Sequence, residues 1–112
     1  MTKPFNTSIR RQAKKTTIDL SGEINALAEQ ELQNAYTEAE SSSPPIIVLN
    51  FSGVSYINST GIALIVGLMA QARKVHRTLA VYGLNDHYQE IFQITRLADF
   101  IQIYQDEASV GV

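Results

Sequence analysis

"IIVLNFSGVSYINSTGIALIVGL", from Ile46 to Leu68, contains a strand, a turn and a helix in succession. With Pro45 in front, the run to Phe51 is apolar and rich in β-branched residues, as a central parallel strand covered on both faces requires. After "SGVSY" a helix begins at Ser59 or Thr60. Two hydroxyls therefore sit at a helix N-terminus beyond the carboxyl end of a central strand, where open α/β sheets gather ligands and chemistry. Unpaired N–H groups and the positive end of the helix dipole favour an anionic oxygen there, either a bound phosphate or a phosphoryl group on the serine itself. The same pattern also fits a plain cap, in which Asn58, Ser59 or Thr60 accepts a backbone N–H of the first turn.

Projected at about 100° per residue, Leu64, Ile65, Leu68, Met69 and Ala72 form one side of this helix, and Ala63, Val66, Gly67, Ala70, Arg73 and Lys74 the other. The second side is small and apolar where solvent-facing helices carry charge, so it is suited to the close approach of another protein or of a neighbouring helix. Arg73, Lys74, His76 and Arg77 gather near the helix C-terminus, where cations complement the dipole.

Outward from this centre, strands and helices interleave. Toward the N-terminus, Ala28, Leu32, Ala35, Tyr36 and Ala39 mark an amphipathic helix over Ala26–Glu40, closed by "SSSPP" (Ser41–Pro45). Before it, "TTIDLSG" (Thr16–Gly22) alternates, and Phe5–Gln12 supplies an antiparallel partner. Toward the C-terminus, "TLAVYGL" (Thr78–Leu84) is a buried strand, Asp86–Thr95 a helix, and "FIQIYQ" (Phe100–Gln105) an edge strand. The pattern predicts an α/β domain: a mixed, mostly parallel sheet with about four helices packed on it. One domain spans 1–112, with residues 1–4 and 106–112 expected to be flexible tails.

Composition narrows the function. The 112 residues are 45% hydrophobic with net charge −2, and no basic stripe is present to neutralise phosphates, so nucleic acid is not an expected partner. There is no cysteine, which removes disulfides, thiolate metal sites and thiol catalysis. Two separated histidines make no metal set. The apolar run Ile62–Ala70 is half a membrane span and the first residues lack a signal-peptide core, so a cytoplasmic protein without membrane contact is expected.

A hydrolase with Ser59 as nucleophile would need a base. His76 lies roughly 25 Å away along the helix, and His87 belongs to the next one. No enzyme activity, cofactor or metal is therefore expected, and no Gly-rich phosphate loop supports nucleotide binding.

These residues resemble a STAS domain of the anti-sigma-factor-antagonist type over nearly the whole length. The carriers are "LSGEIN", "IIVLNFSGVSYINSTGIALIVGL", "LAVYGLNDHYQEIFQITRL" and "FIQIYQ", with Asn58-Ser59-Thr60-Gly61-Ile62 at the family's Asp-Ser-(Ser/Thr)-Gly-(Leu/Ile) pattern. The resemblance implies a partner-switching antagonist that binds an ATP-dependent anti-sigma-factor serine kinase when unphosphorylated. Phosphorylation at Ser59, with Thr60 the weaker acceptor, releases it, and a serine phosphatase resets it. The implied partner surface comprises Glu23, Asn25, Asn58, Thr60, Gly61, Ala63, Val66, Gly67 and Ala70. The alternative is a STAS adaptor that binds a kinase or phosphatase in a pathway without a sigma factor. Asn25 and Asn58 stand where the family usually has Asp, keeping the shape and losing the charge; Glu23 is the carboxylate left in that loop.

Overall fold

Strand β1 (Asn6–Arg11) runs antiparallel to β2 (Lys15–Ile24), with Ile9 opposite Ile18, in a computed structural model that describes residues 4–110. A 3₁₀ turn (Ala26–Ala28) leads into α1 (Glu29–Glu40). There follow β3 (Ile46–Ile57), α2 (Ser59–Lys74), β4 (Thr78–Tyr82), α3 (Asp86–Ile94) and β5 (Gln102–Tyr104). The sheet order is β1-β2-β3-β4-β5, and the last four strands are parallel.

The expected antiparallel opening and central β3 are both present. Three α-helices pack on the sheet where about four were expected, the remaining helical pieces among the described residues being 3₁₀ turns. The closing strand is half as long as the alternation of Phe100–Gln105 suggested, because a 3₁₀ turn at Leu97–Asp99 occupies the approach to it.

The sequential order explains where the helices go. Parallel crossovers are almost invariably right-handed, so when each new strand is added on the same side, every crossover helix lands on the same face. That face holds the main core: Ile18, Leu20, Ile47, Leu49, Phe51, Leu79 and Val81 of the sheet meet Leu32 and Tyr36 of α1, Ile65 and Leu68 of α2, and Phe92 of α3. Period-2 alternation puts Val48, Ala80 and Tyr82 on the opposite face. The expectation that β3 is covered on both faces is met differently on the two sides, by helices on one and by the C-terminal segment on the other.

That segment corrects the expectation of a flexible tail from residue 106. Residues 106–110 dock on the sheet through a 3₁₀ turn (Glu107–Ser109), while residues 1–3 and 111–112 lie outside the described residues. Val110 is 3% exposed, packed with Val48, Ala80 and Tyr82. Beside it the Arg10 guanidinium donates to Asp19 (2.7 and 2.9 Å), to Glu107 (2.8 Å) and to the Tyr82 oxygen (3.1 Å). Tyr82 in turn donates to Glu107 (3.1 Å), and the Asn50 amide donates to Asp19 (2.8 Å). Bonding to Arg10 holds both carboxyls, Asp19 and Glu107, below their usual range. Composition alone could not show this contact, because it joins residues almost a hundred positions apart.

Candidate partner-binding site at the start of α2

The site is built from two strand ends. β3 does not stop at Phe51, as its apolar run suggested, but continues to Ile57, because Gly53, Val54, Tyr56 and Ile57 still pair with β2. The ladder places Glu23 beside Tyr56 and Ile24 beside Ile57, with two register irregularities after Asp19. Two loops thus leave the sheet side by side, one led by Asn25 and one by Asn58.

Each asparagine is a helix cap. The Asn25 side-chain oxygen accepts the Leu27 N–H (2.9 Å), and that of Asn58 accepts the Gly61 N–H (2.8 Å). This resolves which of Asn58, Ser59 and Thr60 caps α2, and it leaves both hydroxyl residues exposed as the first two residues of the helix. No acidic residue occupies the first turn of α2, so the positive end of its dipole meets only a neutral amide.

Gly61 is buried, and so does not itself present a surface to a partner as expected. Its role is close approach: a Cβ there would overlap the Ile24 carbonyl oxygen and crowd a methyl of Ile57. The Asn58 N–H donates to that same Ile24 oxygen (3.2 Å). Only glycine lets α2 start this near to β2, so Gly61 fixes Ser59 relative to Glu23 and Asn25, both half-buried at the neighbouring strand end.

Along α2, Ile65, Leu68 and Ala72 are buried, while Ala63, Val66, Gly67 and Ala70 are exposed, dividing the helix as its sequence predicts. A Cβ at Gly67 would meet nothing within 4 Å, so no helix among the described residues covers the small-residue face there. A groove of about 600 Å³ runs beside it, between Ala26–Gln33 and Ala63–Gln71. Gln33 and Gln71 exchange amide hydrogen bonds (3.1 and 2.8 Å) that tie α1 to α2 along it. Leu27, 90% exposed, stands at the groove's rim and was missed in the sequence. Its signal was there: Leu27 is out of phase with Ala28, Leu32 and Ala35, and so cannot face the core with them.

His76 and His87 are both exposed, one after α2 and one in the first turn of α3. Arg73 stacks its guanidinium 4.4 Å from the centre of the Phe100 ring, a packing role for a residue placed by sequence on the open face. Among the described residues no three His, Cys, Asp or Glu side chains form a metal-binding group, and no helix is long and apolar enough to cross a membrane.

A sheet of this order, with three helices on one face and an exposed serine opening the central helix, defines a small α/β domain whose exposed chemistry is a hydroxyl beside an apolar face. The chain belongs to the STAS domain family, whose sequence model matches residues 5–110. It is similar to the anti-sigma-B factor antagonist of Listeria monocytogenes, 29% identical over 110 residues and covering 96% of each chain. The Staphylococcus aureus anti-sigma-B factor antagonist is 28% identical over 99 residues, covering 88% of this chain and 92% of its own. In fold it is similar to an anti-sigma factor antagonist from Mycobacterium paratuberculosis, with a TM-score of 0.81 at 19% identity, covering 96% and 93% of the two chains. It is also similar to the anti-sigma factor antagonist SpoIIAA in its unphosphorylated form, with a TM-score of 0.72 at 17% identity, covering 92% and 91%.

Proposed function

We propose that this protein is an anti-sigma-factor antagonist that works by partner switching. Unphosphorylated, it docks on an ATP-dependent anti-sigma-factor serine kinase through the Ser59 end of α2 and the face formed by Ala63, Val66, Gly67 and Ala70. Glu23, Asn25, Asn58 and Thr60 flank that contact. Phosphorylation at Ser59 releases the partner, and a serine phosphatase restores the binding form. The observation that carries the reading is the position of Ser59: it is exposed, first in α2, and continuous with an apolar helix face that is exposed among the described residues. The names of the Listeria and Staphylococcus relatives support the class of pathway.

The chemistry of the switch follows from the site. A phosphoserine brings about −1.5 to −2 charges to a helix N-terminus, which tolerates them in the free protein. Pressed against a docked partner, the same group costs desolvation and like-charge repulsion, and about 2.8 kcal/mol is enough to weaken binding a hundredfold.

The test uses the purified protein and its Ser59→Ala variant as baits, followed by incubation of the captured kinase with each bait and ATP. Mass spectrometry should place phosphate on Ser59 and the phosphorylated protein should no longer be retained. Phosphate confined to Thr60 or to Ser41–Ser43, or undiminished labelling of Ser59→Ala, refutes the assignment. Stable capture without any phosphorylation favours an adaptor in a pathway without a sigma factor, a reading consistent with the neutral Asn25 and Asn58 caps.

A further inference from the structure

The loop that carries Ser59 is gripped from two sides. On the β2 side the grip is main chain, the Ile24 carbonyl accepting the Asn58 N–H and lying against Gly61. On the other side β3 has lost its neighbour: β4 pairs with it only as far as Asn50 opposite Tyr82, and Gly83, at φ +83°, turns the chain away. The backbone donors of β3 beyond that point need other partners if they are buried. For Ile57, two residues before Ser59, the partner is a side chain: its N–H donates to the Tyr88 phenol oxygen at 2.9 Å in a buried contact.

Tyr88 is well placed to hold it. It sits in the first turn of α3, where its own N–H donates to the capping oxygen of Asn85 (2.9 Å), and it is 7% exposed. Its ring packs edge-on to His87, with centroids 5.0 Å apart. The sequence marks Tyr88 only as one apolar position of α3, because nothing in its spacing shows that its hydroxyl reaches a strand end thirty-one residues earlier.

We infer that Tyr88 is a positioning residue for the phosphoacceptor: its phenol oxygen, through the Ile57 amide, fixes the loop that presents Ser59. The inference rests on Ser59 being the phosphoacceptor. It also makes α3 the second support of the site, since the Asn85 cap, Tyr88 and Ile57 form one chain of hydrogen bonds that ends two residues before Ser59. Tyr88→Phe keeps the ring and removes only the acceptor.

The experiment compares the wild type with Tyr88→Phe, and with Ile103→Ala on β5 as a control for lost stability. Amide hydrogen exchange at Ile57 and Asn58, both hydrogen-bonded, should quicken about tenfold in Tyr88→Phe, with α1 amides unchanged. With the captured kinase and ATP, kcat for Ser59 phosphorylation should fall about tenfold while KM, set by the intact α2 face, stays within twofold. Ile103→Ala should leave both constants at wild-type values. Equal kcat in Tyr88→Phe and wild type, or a loss matched by Ile103→Ala, overturns the proposal. Should the wild type itself not be phosphorylated, the phosphoacceptor reading fails, and exchange alone decides the loop-positioning role: quickening at Ile57 and Asn58 supports it and unchanged exchange overturns it.

Discussion

Gly67 lies in the middle of α2, exposed, and a Cβ added there would meet nothing within 4 Å. Glycine in a helix interior costs roughly 0.5–1 kcal/mol relative to alanine, so Gly67→Ala should stabilise the free domain by about that amount. For a domain of this size the gain appears as a rise in melting temperature of roughly 2–6 °C, measurable by circular dichroism. Gly67→Arg should gain nearly as much, because arginine is close to alanine in helix propensity. The same arginine would put a charged fork on the face between Ala63 and Ala70 and abolish capture of the partner, a loss of at least a hundredfold, or about 2.8 kcal/mol. Stability and binding thus move in opposite directions, which a merely disruptive mutation cannot produce. Gly61→Ala is the contrast within one helix: its Cβ would overlap the Ile24 carbonyl, and overpacking of this kind costs about 1–3 kcal/mol or more. A fall in melting temperature for Gly67→Ala would mean that the face is covered within the domain. Full retention of the partner by Gly67→Arg would move the interface off α2.

Acid should weaken the fold through the Arg10 network: Asp19 and Glu107 have folded pKa values below their ordinary ones, so their stabilisation is complete above about pH 5 and is lost as pH falls through and below the range near 4. Glu107→Gln should flatten part of that acid limb in urea denaturation measured from pH 7 to 2, and an unchanged slope would refute it. Asn58→Ala should destabilise by about 1 kcal/mol through loss of the cap on Gly61, whereas Asn58→Asp should stabilise by roughly 0.3–1 kcal/mol at low salt by meeting the helix dipole; a loss of stability in Asn58→Asp, read by thermal melting, would contradict this. Phosphorylated protein should keep its fold, with amide NMR shifts confined to residues near 56–67; shifts spread across the sheet would point to a conformational switch instead.

The fold was legible where one period dominated. Alternation in Thr16–Gly22 and the apolar run of Ile46–Phe51 marked β2 and β3, and Leu32, Ala35, Tyr36 and Ala39 marked the inner side of α1, because burial on one face leaves that imprint. The second half of β3 was not legible, since "SGVSY" has neither apolar run nor strict alternation; its extension is set by pairing with β2, a tertiary effect. The docked C-terminus was equally hidden, as Val110 and Glu107 become meaningful only when Val48 and Arg10 are placed opposite them. Within the candidate site the exposure of Ser59 and of the small-residue face was readable, and the supporting contacts were not. Ser59 and the Ala63–Ala70 face announce themselves through type and spacing. Gly61 entered the partner surface only through the family resemblance, and its spacing does not show the close approach to Ile24 that its position requires.

The neutral caps sharpen what phosphate can do here. A carboxylate at the Asn58 position would already place negative charge at the α2 N-terminus, and phosphate would then add to it. With an amide at the Asn58 cap and no acid in the first turn, α2 itself sets no negative charge against the positive end of its dipole, and Glu23 is the carboxylate left at the neighbouring strand end. Under the proposed switch, modification of Ser59 would therefore reverse the sign of the charge at the first turn of α2 itself. In the free protein this reversal is mild, because the dipole and solvent accommodate it. In the complex it falls beside the apolar Ala63–Ala70 face, where a partner would exclude the water that screens it. In the proposed switch the discriminating power would thus come from burial by the partner, and it would be greatest where the groove, Leu27 and the small residues of α2 allow the closest approach.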